Sequence, residues 1–235
     1  MGDNVEQRDV AINARVITGT VPDTSRKERF VLRPINGEPV AVKSEKLHVD
    51  TYDTLVLSPT APLAKNTDYE LVLLRGAETI PYSRFHTTDT TDTTAPTWKG
   101  SLEAEFMPPD DCSVACSLRQ GARVEITAPT PRDDRSGVEL VSVWVTDGAS
   151  IDYNKPPTAH VKSMLPNDDI RDVAVGMPPT HVVIVLGGAG PCQQQSVPLP
   201  PHARRARVGM KAIDRAGNAS APREVEVLLS AAKAK

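Results

Sequence analysis

Two sets of side chains in this sequence have the types that could do chemistry. The first is three cysteines, Cys112, Cys116 and Cys192. A thiolate can be a nucleophile, a zinc ligand or half of a disulfide. A C-x3-C pair with one distant partner is not a zinc pattern, because no fourth ligand stands at zinc spacing and the five histidines are scattered. The second set is oxygen-bearing: Asp89, Asp92, Asp133, Asp134, Asp214 and Asn218. Such residues could ligate Ca2+, which takes about six to eight oxygens. No D-x-D-x-D loop is present, and Asp and Asn commonly close Asx-turns, so no resident metal is expected and Ca2+ is the alternative.

Other reactive constellations are absent. There is no G-x-S-x-G elbow, H-E-x-x-H, P-loop or G-x-G-x-x-G. The glycine-rich LGGAGP, Leu186–Pro191, follows a strand-like run and ends in proline rather than opening a helix. The ARRAR run, Ala203–Arg207, is the one basic cluster and reads as a solvated strand face. Trp144 stands in an apolar run and is expected in the core, whereas Trp98, just after a linker-like tract, is expected to pin a contact between domains. No enzyme is expected, and no cofactor.

Which elements would position these groups follows from composition and pattern. The 235 residues carry 27 Lys+Arg against 30 Asp+Glu, for a net charge of -3. Residues 1–95 hold 11 basic and 14 acidic side chains and residues 96–235 hold 16 of each, so neither half has the basic excess that nucleic acid favours. Hydrophobic residues make up 39%, enough to pack a core, and no apolar run approaches the roughly 20 residues of a membrane span. The start, MGDNVEQRD, has no apolar segment ahead of a cleavage site, so any signal peptide is expected to have been removed. The 21 prolines disfavour helices, because proline in a helix interior costs about 3 kcal/mol.

The Thr-rich tract from His86 to Trp98 reads as an extended linker. It divides a first domain, 1–95, from a second, 96–235. Before it, strands are expected at Val10–Ile17, Arg29–Pro34, Pro39–Lys43, Thr54–Ser58, Asp68–Leu74 and Tyr82–His86, with Ile35–Gly37 turning a hairpin between the second and third. After it, strands are expected at Ser101–Phe106, Ala122–Ala128, Val138–Thr146, His181–Leu186, Ala203–Ile213 and Glu224–Leu229, with an irregular excursion over 147–180. The fold expected is all-β, two tandem Ig-like β-sandwiches joined by the Thr-rich linker.

The segment TLVLSPTAPLAKNTDYELVL and the later FHTTDTTDTTAPTW resemble the S-layer-type bacterial Ig-like domain, through Pro59, Pro62, Leu63, Thr67, Tyr69, Phe85, Thr87 and Asp89. AIDRAGNASAP, Ala212–Pro222, and PRDDRSGVELVSVWV are similar to the F–G and B–C turns of fibronectin-III-like and Ig-like bacterial domains. The first resemblance covers about residues 5–95 and the second about 97–230. The first implies an exported or surface-attached bacterial protein in which the module serves as spacer or scaffold, and the second implies the fold, since such modules serve many unrelated roles. In such a sandwich the A–B and E–F loops share one end. The resemblance therefore implies a disulfide from Cys116, or alternatively Cys112, to Cys192, with Cys112–Cys116 or free thiols as the other outcomes. It also places Asp133, Asp134, Asp214 and Asn218 at the end where Asp89 and Asp92 arrive, so that oxygens converge at the domain junction.

The function expected is a non-enzymatic structural or adhesive scaffold at the cell surface, outer membrane-attached or extracellular. Its partners would be proteins of the envelope or surface, not nucleic acid. A carbohydrate-binding accessory module of a secreted enzyme is the alternative. The Asp147–Thr180 excursion is where recognition would be sought first.

Overall fold

The computed structural model describes residues 8–18, 20–49, 52–107, 123–133, 137–162, 180–186, 196–197 and 203–229. Their strands in the N-terminal half are β1 Arg8–Val10, β2 Val16–Ile17, β3 Glu28–Pro34, β4 Val42–Val49, β5 Tyr52–Pro59, β6 Asp68–Arg75 and β7 Glu78–Thr87. The C-terminal half contributes β8 Glu103–Met107, β9 Arg123–Ala128, β10 Val138–Thr146, β11 Ala159–Lys162, β12 Thr180–Leu186, β13 Ser196–Val197, β14 Arg205–Asp214 and β15 Arg223–Leu228. The chain is all-β; one 3-10 turn, Thr24–Arg26, is the sole helical element among the described residues.

Three sheets result. One has four strands in the order β1-β7-β6-β3, and another has four in the order β13-β12-β9-β8. The third has seven, β15-β14-β10-β11-β4-β5-β2, and takes strands from both halves. Its seam is the parallel contact of β11 with β4, where His160 stands opposite Val49. Two apolar cores form within this frame. One gathers Val10, Leu32, Leu57, Leu63, Tyr69, Leu71 and Phe85, and the other runs from Trp98 through Val124, Val141, Val208 and Met210 to Val227.

The residues that carried the first resemblance have a common physical task. Tyr69 and Phe85 stack with centroids 5.5 Å apart, and the Ala64 amide donates to the Tyr69 hydroxyl at 3.0 Å. Thr87 is fully buried; its hydroxyl donates to Ala64 O at 2.6 Å and accepts from the Thr67 amide at 3.0 Å. The turn that carries Pro59, Pro62 and Leu63 is thereby fastened onto the ends of β6 and β7, with Leu63 buried in the core. A buried hydroxyl must find such partners, which is why a threonine works there.

Four expectations are corrected. Val10–Ile17 is not one strand but two, separated by a turn at Ile12–Asn13. Ile35–Gly37 does turn the chain, with Asn36 at φ 61, but it does not close a hairpin. After one bond from Val40 N to Leu32 O the chain leaves β3, which pairs with β6, and crosses to the seven-stranded sheet. The third strand lies at Val42–Val49 rather than Pro39–Lys43, paired residue for residue with β5. Its sequence, VKSEKLHV, is mostly exposed, so hydrophobic alternation could not reveal it. Finally, Trp98 sits in the C-terminal core, with its indole N–H on Pro129 O and its own carbonyl accepting from Arg223. It therefore does not pin the junction.

Trp144 is buried as expected, but on the outer face of β10, away from the main core. The excursion after β10 covers it. Tyr153 meets the indole edge-on at 5.1 Å, the indole N–H donates to Lys155 O at 2.9 Å, and Lys211 Nζ lies 4.6 Å from the Tyr153 ring centroid. Gly209, directly across from Trp144 in β14, leaves the hollow that Tyr153 and Ile151 occupy. The described part of the excursion is thus packed structure, and β11 extends it into the seam.

Candidate functional site

The oxygen-bearing residues meet where the two halves join. Asp214 ends β14, and the DRAGN turn after it needs Gly217 at φ 92, a conformation that side-chain-bearing residues rarely adopt. The Asn218 amide donates back to Asp214 Oδ1 at 2.8 Å. Asp133 follows β9 and accepts from the Gly137 amide at 2.6 Å. Asp92, fully buried in the Thr-rich segment, accepts from the Thr94 amide at 2.9 Å. One carboxylate oxygen of each of these three aspartates lies within 4.8 Å of the others.

That spacing suits oxygens around one Ca2+, whose ligands stand at about 2.3–2.6 Å. The donors present favour the other expectation. Asn218 turns its Nδ2 toward the cluster, donating to Asp214 Oδ2 at 2.9 Å and to the carbonyls of Asp92 and Thr94 at 3.3 Å each. An amide nitrogen thus holds a position that three oxygens from two segments surround. Asp92 bonds the backbone N–H two residues on, as an Asx-turn does, and Asp133 and Asp214 each bond the one four residues on, closing wider turns. Burial nonetheless pushes the Asp214 carboxyl up, with the Asn218 bonds opposing and the fields of Asp92 and Asp133 adding to the rise.

Of the six candidates, Asp92, Asp133, Asp214 and Asn218 are brought together. Asp89 is exposed and lies outside this group, and Asp134 lies outside the described residues. Cys112, Cys116 and Cys192, and with them the expected bridge, also lie outside the described residues.

Three residues that the motifs did not mark, Arg15, Glu139 and Asn13, complete the site. Arg15, between β1 and β2, donates its backbone N–H to Arg215 O at 2.7 Å and its Nη2 to Asp214 O at 3.0 Å. The same Nη2 faces Glu139 Oε2 at 3.5 Å. Glu139 sits at a register shift between Val138 and Leu140, a bulge that breaks the alternation of β10, and its pairing with Arg15 places it at the joint. Burial pushes its carboxyl up to about 7, against the fields of Arg15 and Arg215 and helped by Asp214. On the N-terminal side, Asn13 and Asp92 exchange two bonds: Asn13 Nδ2 to Asp92 O at 2.7 Å and Asp92 N to Asn13 Oδ1 at 3.0 Å.

Outside the joint, Arg205 and Arg207 share one carboxylate, Glu226, at 3.0 and 3.1 Å, so the basic run is largely answered by its neighbouring strand. Both tryptophans are buried, and Tyr82, packed edge-on against Phe30, is the one large aromatic among the exposed hydrophobics of the described residues. No helix of the described residues is long and apolar enough to cross a membrane.

No family model matches the chain, and no curated protein does. The joint is therefore read on its own chemistry. It holds hydrogen-bond donors and acceptors from four separate segments, and its titratable groups are engaged in fixing turns and crossing between the halves.

Proposed function

We propose that the chain is a non-enzymatic, exported bacterial surface protein, built from two tandem Ig-like sandwiches on either side of the Thr-rich segment and used as a stiff structural or adhesive scaffold for protein partners. The observation that carries this reading is the seven-stranded sheet, which draws β4, β5 and β2 from one half and β10, β11, β14 and β15 from the other. Two modules hung on a free tether would share no sheet. A shared one fixes their relative orientation, which is what a spacer requires. The buried tryptophans weigh against a carbohydrate platform, since stacking on sugar needs an exposed aromatic face.

The test is protease treatment of intact cells producing the full-length protein, with immunodetection. Loss of the protein from unbroken cells is the expected result; protection until lysis overturns the assignment to the surface. Peptide mapping after alkylation without reductant adds a second check. A bond from Cys192 to Cys116 or Cys112 accords with an oxidising compartment, whereas three alkylated thiols count against export.

A further inference from the structure

We propose that Glu139 makes the joint between the two halves a proton-controlled latch, closed most tightly when its carboxyl is protonated and loosened when it ionises. The proposal concerns how the joint responds to its surroundings and does not depend on what the scaffold carries.

The geometry is that of a carboxylate buried with poor compensation. The Glu139 side chain is 11% exposed, and its facing cation, Arg15 Nη2, stands 3.5 Å away, longer than a good charge-assisted bond of about 2.7–2.9 Å. Glu139 Oε2 and Arg15 Nε are both buried without a hydrogen-bond partner. The charged groups that act on Glu139 are Arg15 from the β1–β2 segment and Asp214 and Arg215 from the β14–β15 turn. Asp214 is itself crowded by Asp92 and Asp133. Desolvation outweighs the two arginines, and the carboxyl rises to about 7.

Opening the joint withdraws Arg15 and admits water, returning Glu139 toward its ordinary value of 4.5. The closed joint therefore holds a proton that the open joint releases between those two values. By linkage, closure is favoured as pH falls through that window, and the opening constant rises as pH increases, by up to about tenfold per unit, levelling above about 7. His160 at the seam titrates with the opposite sense, because burial lowers its affinity for a proton while Glu45 raises it.

The Arg15 amide, which donates across the joint to Arg215 O, provides a local reporter. Its hydrogen-exchange protection, corrected for intrinsic base catalysis, is expected to fall at least tenfold between pH 5 and 7 in the wild-type chain. In Glu139→Gln the change over the same interval should be less than about twofold. Protection in the wild type that does not change with pH, or a variant that keeps the wild-type slope, would overturn the proposal. Should Glu139→Gln fail to fold, the 13C shift of the Glu139 carboxyl in the unaltered protein decides. A midpoint near 7 is expected, and one near 4.5 refutes the latch.

Discussion

Replacing Gly209 with alanine tests whether the excursion after β10 is packed structure or a loose loop. A Cβ there would overlap Tyr153 Oη and come 2.6 Å from Ile151 Cδ1. Tyr153 cannot yield by a small rotation, because its hydroxyl donates to Glu224 Oε1 at 2.9 Å and its ring lies between Trp144 and Lys211. Overpacking of this kind costs about 1–3 kcal/mol. Lifting the ring also forfeits an aromatic pair, about 0.5–1.5 kcal/mol, and a cation–π contact, about 0.5–1 kcal/mol. Alanine recovers about 0.5–1 kcal/mol over glycine in a strand. These terms overlap rather than add, so the net loss is about 2–3 kcal/mol. With a urea slope of about 2–3 kcal/mol/M, the unfolding midpoint should fall by about 1 M. Tryptophan emission should shift to the red in the native baseline as Trp144 becomes wet. Adding Tyr153→Ala should relieve part of the penalty, giving a coupling of opposite sign to that of two independent losses. A Gly209→Ala protein within about 0.5 kcal/mol of wild type, with unchanged emission, refutes this account of the fold.

Three further outcomes are expected. Thr87→Val removes a fully buried hydroxyl that makes three bonds at the β6–β7 ends, and should cost about 2–3 kcal/mol in chemical denaturation. Asn218→Asp replaces the amide donor among Asp92, Asp133 and Asp214 with a fourth carboxylate. It should destabilise by about 2–4 kcal/mol at pH 7 and by less near pH 4, as scanning calorimetry at the two values will read. Glu70 lies beneath Arg33 at 2.8 Å and Arg84 at 3.7 Å, and Glu70→Ala should cost about 1–2 kcal/mol, with Glu70→Met costing less because its apolar stem fills the buried site that alanine would leave empty.

What the sequence made legible depended on how strongly each segment declared one physical role. β6, β10, β14 and β15 carry apolar runs or alternation, and their expected limits lie within one or two residues of those observed. β4 did not declare itself, because VKSEKLHV is mostly exposed and has no apolar face to alternate. Ile35–Gly37 had the chemistry of a hairpin turn, but a local signal cannot say whether the chain afterwards stays in its sheet. The convergence of Asp92, Asp133, Asp214 and Asn218 was reached through the resemblance, which implies that their loops share one end. Arg15 and Glu139 were not. In VELVSVWV alternation puts the glutamate on the same face as the core residues Val141 and Val143, and only the bulge, which no pattern announces, takes it out of that row while Val138 joins the core. A lone acid inside a nine-residue, mostly buried strand is the one clue that could have been used.

The Thr-rich segment has no slack. Thr88 N bonds to Val10 O and Ile12 N to Thr90 O, while the carbonyls of Asp92 and Thr94 receive Asn218 and Thr97 pairs with Arg132. A tether of free coil would lengthen under tension like an entropic spring before either end took any load. This one is fastened at nearly every other residue, so a pull on one half reaches the hydrogen-bonded sheets of the other at once. The joint then transmits force rather than absorbing it, and the first extension of the molecule under tension should be the rupture of these bonds, not the straightening of a linker.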